Sequence, residues 1–177
     1  MITSEQIKAL RDKTGISVMA CKKALEEAEG DEAKALEVLK EKSAEQAAKK
    51  GDRAFGAGVV ESYIHSNSLT GSMIELACET DFVSNNVEFK AVAKDIAMQV
   101  VAFSPVVLKE SDITEEVKAK AKEDNGGEDA DVAMLALLSQ PFIKNGDITI
   151  QGVLDAAMQK FGERIEVLKF SRFEIGK

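Results

Sequence analysis

Apolar side chains recur at helical spacing through the first 42 residues, and then the period changes. Ile7 and Leu10 share one face, Val18, Cys21, Leu25 and Ala28 form a second stripe, and Leu36 and Leu39 start a third. The residues between the stripes are helix punctuation. Thr3 with Gln6 has the spacing of a capping box, in which a hydroxyl and an amide satisfy orphan N–H groups. Gly15 suits the left-handed position that ends a helix. Ser17 is placed to cap the second helix, Gly30 to close it and Asp31 to open the third. Residues 1–42 therefore read as a three-helix module, too small to bury much apolar surface and suited to serve as a docking surface. Residues 43–54 carry no large apolar side chain before Arg53 and read as a linker or a solvated helix, with a domain boundary there.

From Phe55 onward the pattern is strand-like. Phe55, Ala57, Val59, Val60, Tyr63 and Ile64 make a β-prone run, and Ser66, Asn67, Ser68 and Gly71 supply turn chemistry. Ile74, Leu76 and Cys78 then alternate on one face, which predicts a hairpin. After an interruption from Glu79 to Asn86, Asn85 and Glu88 are placed to cap a strong helix. Its stripe is Phe89, Val92, Ala93, Ile96, Val100 and Phe103, and Pro105 stops it. A polar helix from about Glu115 to Asp124 follows, then a Gly126-Gly127 excursion and a short helix marked by Val132, Leu135 and Leu138. Asn145-Gly146 reads as a turn. Leu154, Ala157, Met158 and Phe161 predict a last helix closed by Gly162, and Ile165 to Ile175 a final strand. Residues 55–177 thus read as an α+β core domain, an antiparallel sheet of about three strands packed with helices.

Charge narrows the choice of partner. The 177 residues carry a formal net charge of −8, against a nucleic-acid grip built on phosphate neutralisation. Residues 1–53 are balanced, and nine acids against three lysines between Glu110 and Asp131 supply most of the excess. That stretch reads as a solvated excursion that favours solubility. No apolar run approaches the ~20 residues needed to cross a bilayer, and the first ten residues lack the order of a signal peptide. Cys21 and Cys78 are too few for a disulfide scaffold, which points to a reducing cytoplasm.

Candidate chemistry is sparse. One histidine and two cysteines are poor material for a zinc site. His65 sits at the end of a predicted strand with no evident catalytic partner. Cys21 lies on an apolar stripe and reads as a small core residue. Cys78 precedes Glu79 and Asp81, whose charges would raise a thiol pKa, against the needs of a nucleophile. No phosphate-binding glycine motif follows a strand. Thr80, Asp81, Phe82 and Val83 resist a purely structural reading. They lie where the chain must turn from strand to helix, and Phe82 either folds back into the core or stands out as an anchor for a partner.

Leu10-Arg11 with Thr14-Gly15, then Met19 to Leu25 and Gly30-Asp31, resemble the amino-terminal module of the elongation factor Ts family. Cys78 to Val83, followed by Asn86 and Phe89, resembles that family's central motif. Gln140-Pro141-Phe142, Gly162-Glu163 and Phe170 to Glu174 resemble its carboxy-terminal blocks. The length is similar to the short bacterial form. The chain departs from the family pattern at Ser17, where Gly is common, at Ala20, where Asp is common, and at Arg164, where Asn is common.

The resemblance implies a guanine-nucleotide exchange factor for the GTPase elongation factor Tu, with a module similar to ubiquitin-associated domains. It places Arg11, Val18, Met19 and Lys22 in the module's contact with the GTPase. It makes Thr80, Asp81, Phe82 and Val83 the expected intruding segment near the GTPase magnesium site. It further implies a homodimer, no cofactor, no catalytic residue and no metal of its own. Two other readings stay open on the residues: an adaptor whose three-helix module binds ubiquitin-like or helical partners without exchange activity, and a thiol enzyme using Cys78.

Overall fold

The structure is a computed structural model that describes residues 2–50, 53–124, 127 and 131–176. It is an α+β fold. Three amino-terminal helices, α1 (Ser4–Thr14), α2 (Val18–Glu27) and α3 (Glu32–Lys50), precede the β1 (Ala57–Ile64) and β2 (Thr70–Cys78) hairpin. The short α4 (Asp81–Ser84), the long α5 (Val87–Phe103) and the polar α6 (Glu115–Asp124) follow. Then come α7 (Val132–Leu135), the strands β3 (Pro141–Phe142) and β4 (Asn145–Thr149), α8 (Ile150–Phe161) and β5 (Glu166–Glu174).

The local helix signals act as their chemistry requires. Thr3 and Gln6 close a reciprocal capping box on α1, and Gly15 ends that helix at φ 69°. The Ser17 hydroxyl accepts from the Ala20 N–H at the start of α2. Asp31 accepts from Ala33 and Lys34 at the start of α3. Leu10, Cys21, Ala24, Leu25, Ala35 and Leu39 bury together into one small core.

Three expectations need correction. The third helix does not stop near residue 42; it runs on to Lys50, so of the two readings of the 43–54 segment, linker or helix, the helix holds through Lys50. Asn86, not Asn85, caps α5, accepting from the Glu88 N–H. Asn145-Gly146 belongs to β4, and the chain reverses instead at Ile143-Lys144, forming a second, two-stranded sheet of β3 and β4. The Asp81 to Ser84 segment makes the expected change of direction as one turn of helix. The Gly126-Gly127 excursion falls almost wholly outside the described residues.

The main sheet is antiparallel throughout, in the order β1-β2-β5, with β2 central. Its inner face buries Ile74, Leu76 and Cys78 against Phe89, Ala93, Ile96 and Val100 of α5 and Leu154 and Met158 of α8. The Ser72 hydroxyl donates to the Ala97 carbonyl at 2.7 Å, fixing α5 on the strand. Two fully buried glutamines knit the far side. Gln99 donates to Gln140 and to the Pro141 carbonyl, both at 3.1 Å, and Gln140 donates to the Met134 carbonyl at 2.6 Å. The helical module rests on the core through α3 and α8. A cavity of about 370 Å³ lies between them, lined by Ile16, Leu36, Leu39, Ile148 and Ala156.

Candidate functional site

The site is built where β2 leaves the sheet. Cys78 is the last buried strand residue, and its thiol donates to the Thr80 carbonyl at 3.2 Å. Three residues later the chain enters α4, a single turn. The Ser84 N–H donates to the Thr80 carbonyl at 3.2 Å and the Asn85 N–H to the Asp81 carbonyl at 3.0 Å. Val83 points into the core, only 6% exposed. Asp81 is exposed, and Phe82 lies 87% exposed in solvent.

That exposure decides between the two readings of Phe82: the ring stands outside the core. Val87, at the start of α5, is 79% exposed and adds a second apolar side chain near by in the chain. Sequence reasoning passed over Val87, because it falls off the α5 core stripe. The only available signal was an apolar residue at a helix start where a polar one would serve.

The base of the turn is held by charge. Both N–H groups of Glu79 and Thr80 donate to Oε2 of Glu163, each at 3.0 Å, and the Thr80 hydroxyl donates to Oε1 at 2.5 Å. In return the Arg164 N–H donates to Glu79 Oε1 at 2.6 Å. Arg53 pairs with the Glu79 carboxylate at 3.2 Å. The Arg164 guanidinium lies 4.2 Å from the Phe55 ring centre, donates to the Arg53 carbonyl and pairs with Glu166 at 2.8 Å. Gly56 completes the packing: a Cβ there would lie 2.7 Å from the Glu79 carbonyl oxygen, closer than atoms tolerate.

Burial pushes the Cys78 thiol up from its ordinary value, with the Glu163 carboxylate adding to the rise and hydrogen bonds to Thr80 and Ser84 opposing it. Burial raises Cys21 likewise. Both thiols are therefore poor nucleophiles at neutral pH, which weighs against the thiol-enzyme reading. The His65 ring lies 3.4 Å from the Tyr63 hydroxyl, at the end of β1 beside the hairpin turn.

The residues expected to contact a partner through the module lie on the last turn of α1 and the first half of α2. Arg11 sits in the last turn of α1, while Val18 and Met19 open α2 at 51% and 63% exposure. Lys22 follows on α2, exposed and 3.7 Å from Glu26. Val18 was counted on the α2 stripe; it lies outside the core because the buried face begins at Cys21. These four and the Asp81-Phe82 turn are carried by two separate hydrophobic cores. No helix among the described residues is long and apolar enough to cross a membrane.

The sequence model of the family described as Elongation factor TS matches residues 5–125. The chain is 43% identical to elongation factor Ts of Carboxydothermus hydrogenoformans, over 100% of this chain and 90% of that protein. It is 40% identical to elongation factor Ts of Desulforamulus reducens, over 99% and 90%. With elongation factor Ts of Leptospira biflexa it shares 42%, over 99% and 98%. A match of this depth along the whole chain makes it a member of the elongation factor Ts family, with a role in translation elongation.

Proposed function

We propose that this chain is a cytoplasmic guanine-nucleotide exchange factor that binds elongation factor Tu carrying GDP and promotes GDP release. The Asp81-Phe82 turn enters the GTPase near its magnesium and phosphate site. Thr80 and Val83 anchor the turn from either side, and Arg11, Val18, Met19 and Lys22 hold the partner's nucleotide-binding domain. The observation that carries this reading is the exposed Phe82 ring on a turn whose base is hydrogen-bonded and whose next residue is buried. An aromatic held in water is unfavourable for a free chain and favourable once a partner covers it.

Exchange of this kind makes and breaks no covalent bond. A factor that binds the empty GTPase more tightly than the loaded one weakens nucleotide binding by the same factor, because coupling is reciprocal. It needs no catalytic residue, cofactor, nucleic acid or membrane. Affinity for nucleotide-free and GDP-loaded elongation factor Tu is the measurement that tests it. Much tighter binding to the empty form is expected; equal affinity would leave a simple adaptor.

The same protein is proposed to act as a homodimer through the outer face of its sheet. Val60, Ile64, Met73 and Phe173 all project from that face, and none is buried within the chain. The pairing of Gly71 with both Ile64 and Phe173 brings the two large side chains to either side of a bare backbone position.

A further inference from the structure

The Thr80 turn is capped from outside its own helix. An N-cap threonine ordinarily turns its hydroxyl onto the first turn that it opens. Thr80 makes no such bond to α4. Its hydroxyl donates to Glu163, a residue 83 positions further on, and the same carboxylate takes the Glu79 and Thr80 N–H groups. Glu163 follows Gly162, whose φ of 75° swings the chain off the end of α8. That left-handed step aims the carboxylate at the end of β2. The Arg164 N–H then returns a bond to Glu79, so the two chain segments hold each other in both directions.

We propose that Glu163 is a positioning residue for exchange: it fixes the Glu79-Thr80 backbone so that Phe82 is presented in one orientation before a partner arrives. The inference rests on the proposed role of Phe82 and extends it to a residue outside the turn. Three donors on one carboxylate are charge-assisted bonds, stronger than neutral ones. Val83 pins the far side of the turn in the core, so Phe82 is held between two fixed points. Ordering the turn during folding removes that cost from the binding step. Replacing Glu163 by alanine leaves two N–H groups without their acceptor and frees the turn.

Two measurements test this on the full chain. The first is amide hydrogen exchange. Glu163→Ala should speed exchange at Thr80 to Ser84 while α5 and β5 stay protected, and Glu163→Gln, which keeps an acceptor oxygen, should restore slow exchange. The second is release of fluorescent GDP from elongation factor Tu. Glu163→Ala should slow the stimulated rate about three- to tenfold, the effect of ordering one or two side chains, and Glu163→Gln should recover most of it. In a Phe82→Ala background, Glu163→Ala should slow release no further. If Glu163→Ala fails to fold, Thr80→Val removes the hydroxyl donor alone and should show the same dependence on Phe82. Unchanged exchange at Thr80 to Ser84 overturns the positioning role, as does an equal slowing with and without Phe82. Wild-type release by Phe82→Ala overturns the exchange reading and this inference with it. Slow release by Phe82→Ala with wild-type release by Glu163→Ala overturns this inference alone.

Discussion

Phe82→Ala should separate binding from folding more cleanly than any other single change. The ring is 87% exposed, so only about an eighth of its surface leaves water when the free chain folds. Full burial of a phenylalanine is worth about 2–3 kcal/mol, so truncation should cost the free protein less than ~0.5 kcal/mol. A partner that covers the ring gains most of what remains. The same ~2–3 kcal/mol then comes off the complex, and at about 1.4 kcal/mol per decade that is roughly a 30- to 150-fold loss of affinity for the nucleotide-free GTPase. Reciprocal coupling carries up to that factor into the GDP affinity of the factor-bound GTPase, and stimulated GDP release should slow in the same direction. The assay is release of fluorescent GDP against factor concentration, with urea unfolding followed by circular dichroism on the same preparation. An unchanged release rate refutes the wedge. A collapse of the urea midpoint refutes it differently, by showing that the ring supports the fold.

Three further outcomes follow from the same geometry. Gln140→Leu should lower stability by about 2 kcal/mol in urea, because it takes away the donor to the Met134 carbonyl and an acceptor of Gln99 inside the core; a neutral result would mean that those groups find other partners. Asp155, beside the cavity under the module, has its carboxyl held above the usual aspartate value by burial, with the Gln151 hydrogen bond opposing. A carboxyl that keeps its proton better folded than unfolded loses stability as pH rises through those two values, so Asp155→Asn should stabilise at neutral pH and the gain should shrink on acidification; an increment independent of pH would contradict this. Phe173→Asp, on the outer sheet face at 63% exposure, should shift a dimer to monomer by light scattering at matched concentration while leaving the urea midpoint nearly unchanged.

How much could be read from the chain depends on the range of the interactions. Capping is local, and Thr3, Gly15, Ser17, Asp31 and Gly162 all perform the roles that their neighbours predict. Errors arose where two local signals competed. Asn145 does take the N–H of Asp147, as turn chemistry suggests, but it does so inside β4 because Pro141-Phe142 lies opposite. Asn85 and Asn86 are both plausible caps, and the one-turn α4 takes Asn85 as its own end. The 43–50 stretch lacks a large apolar residue, yet nothing in it breaks a helix, so α3 continues. The site was legible only in its exposed half. Thr80 to Val83 stand together in the sequence, whereas Glu163 and Arg164 reach Thr80 and its neighbour Glu79 through bonds spanning 83 to 85 residues. No periodicity reports such a pairing.

Arg164 shows what that long-range closure does. Its side chain gathers the Arg53 carbonyl, the Phe55 ring and Glu166 at the foot of the turn, while its N–H donates to the Glu79 carboxylate. The segment between α3 and β1 is thereby tied to the same point as the end of β2. The proposed dimer face lies elsewhere. Phe173 and Ile64 flank Gly71 toward the far end of the central strand, Met73 lies mid-strand, and Val60 pairs with Glu75, five residues and about 17 Å of extended chain (~3.3 Å per residue) short of Thr80. The dimer contact would use the outer face of the sheet, whereas the Asp81-Phe82 turn leaves from beyond the end of β2 at Cys78. Each chain of a dimer would keep its own Phe82 free for its own GTPase, and the exchange rate per chain would not depend on whether the sheets are paired.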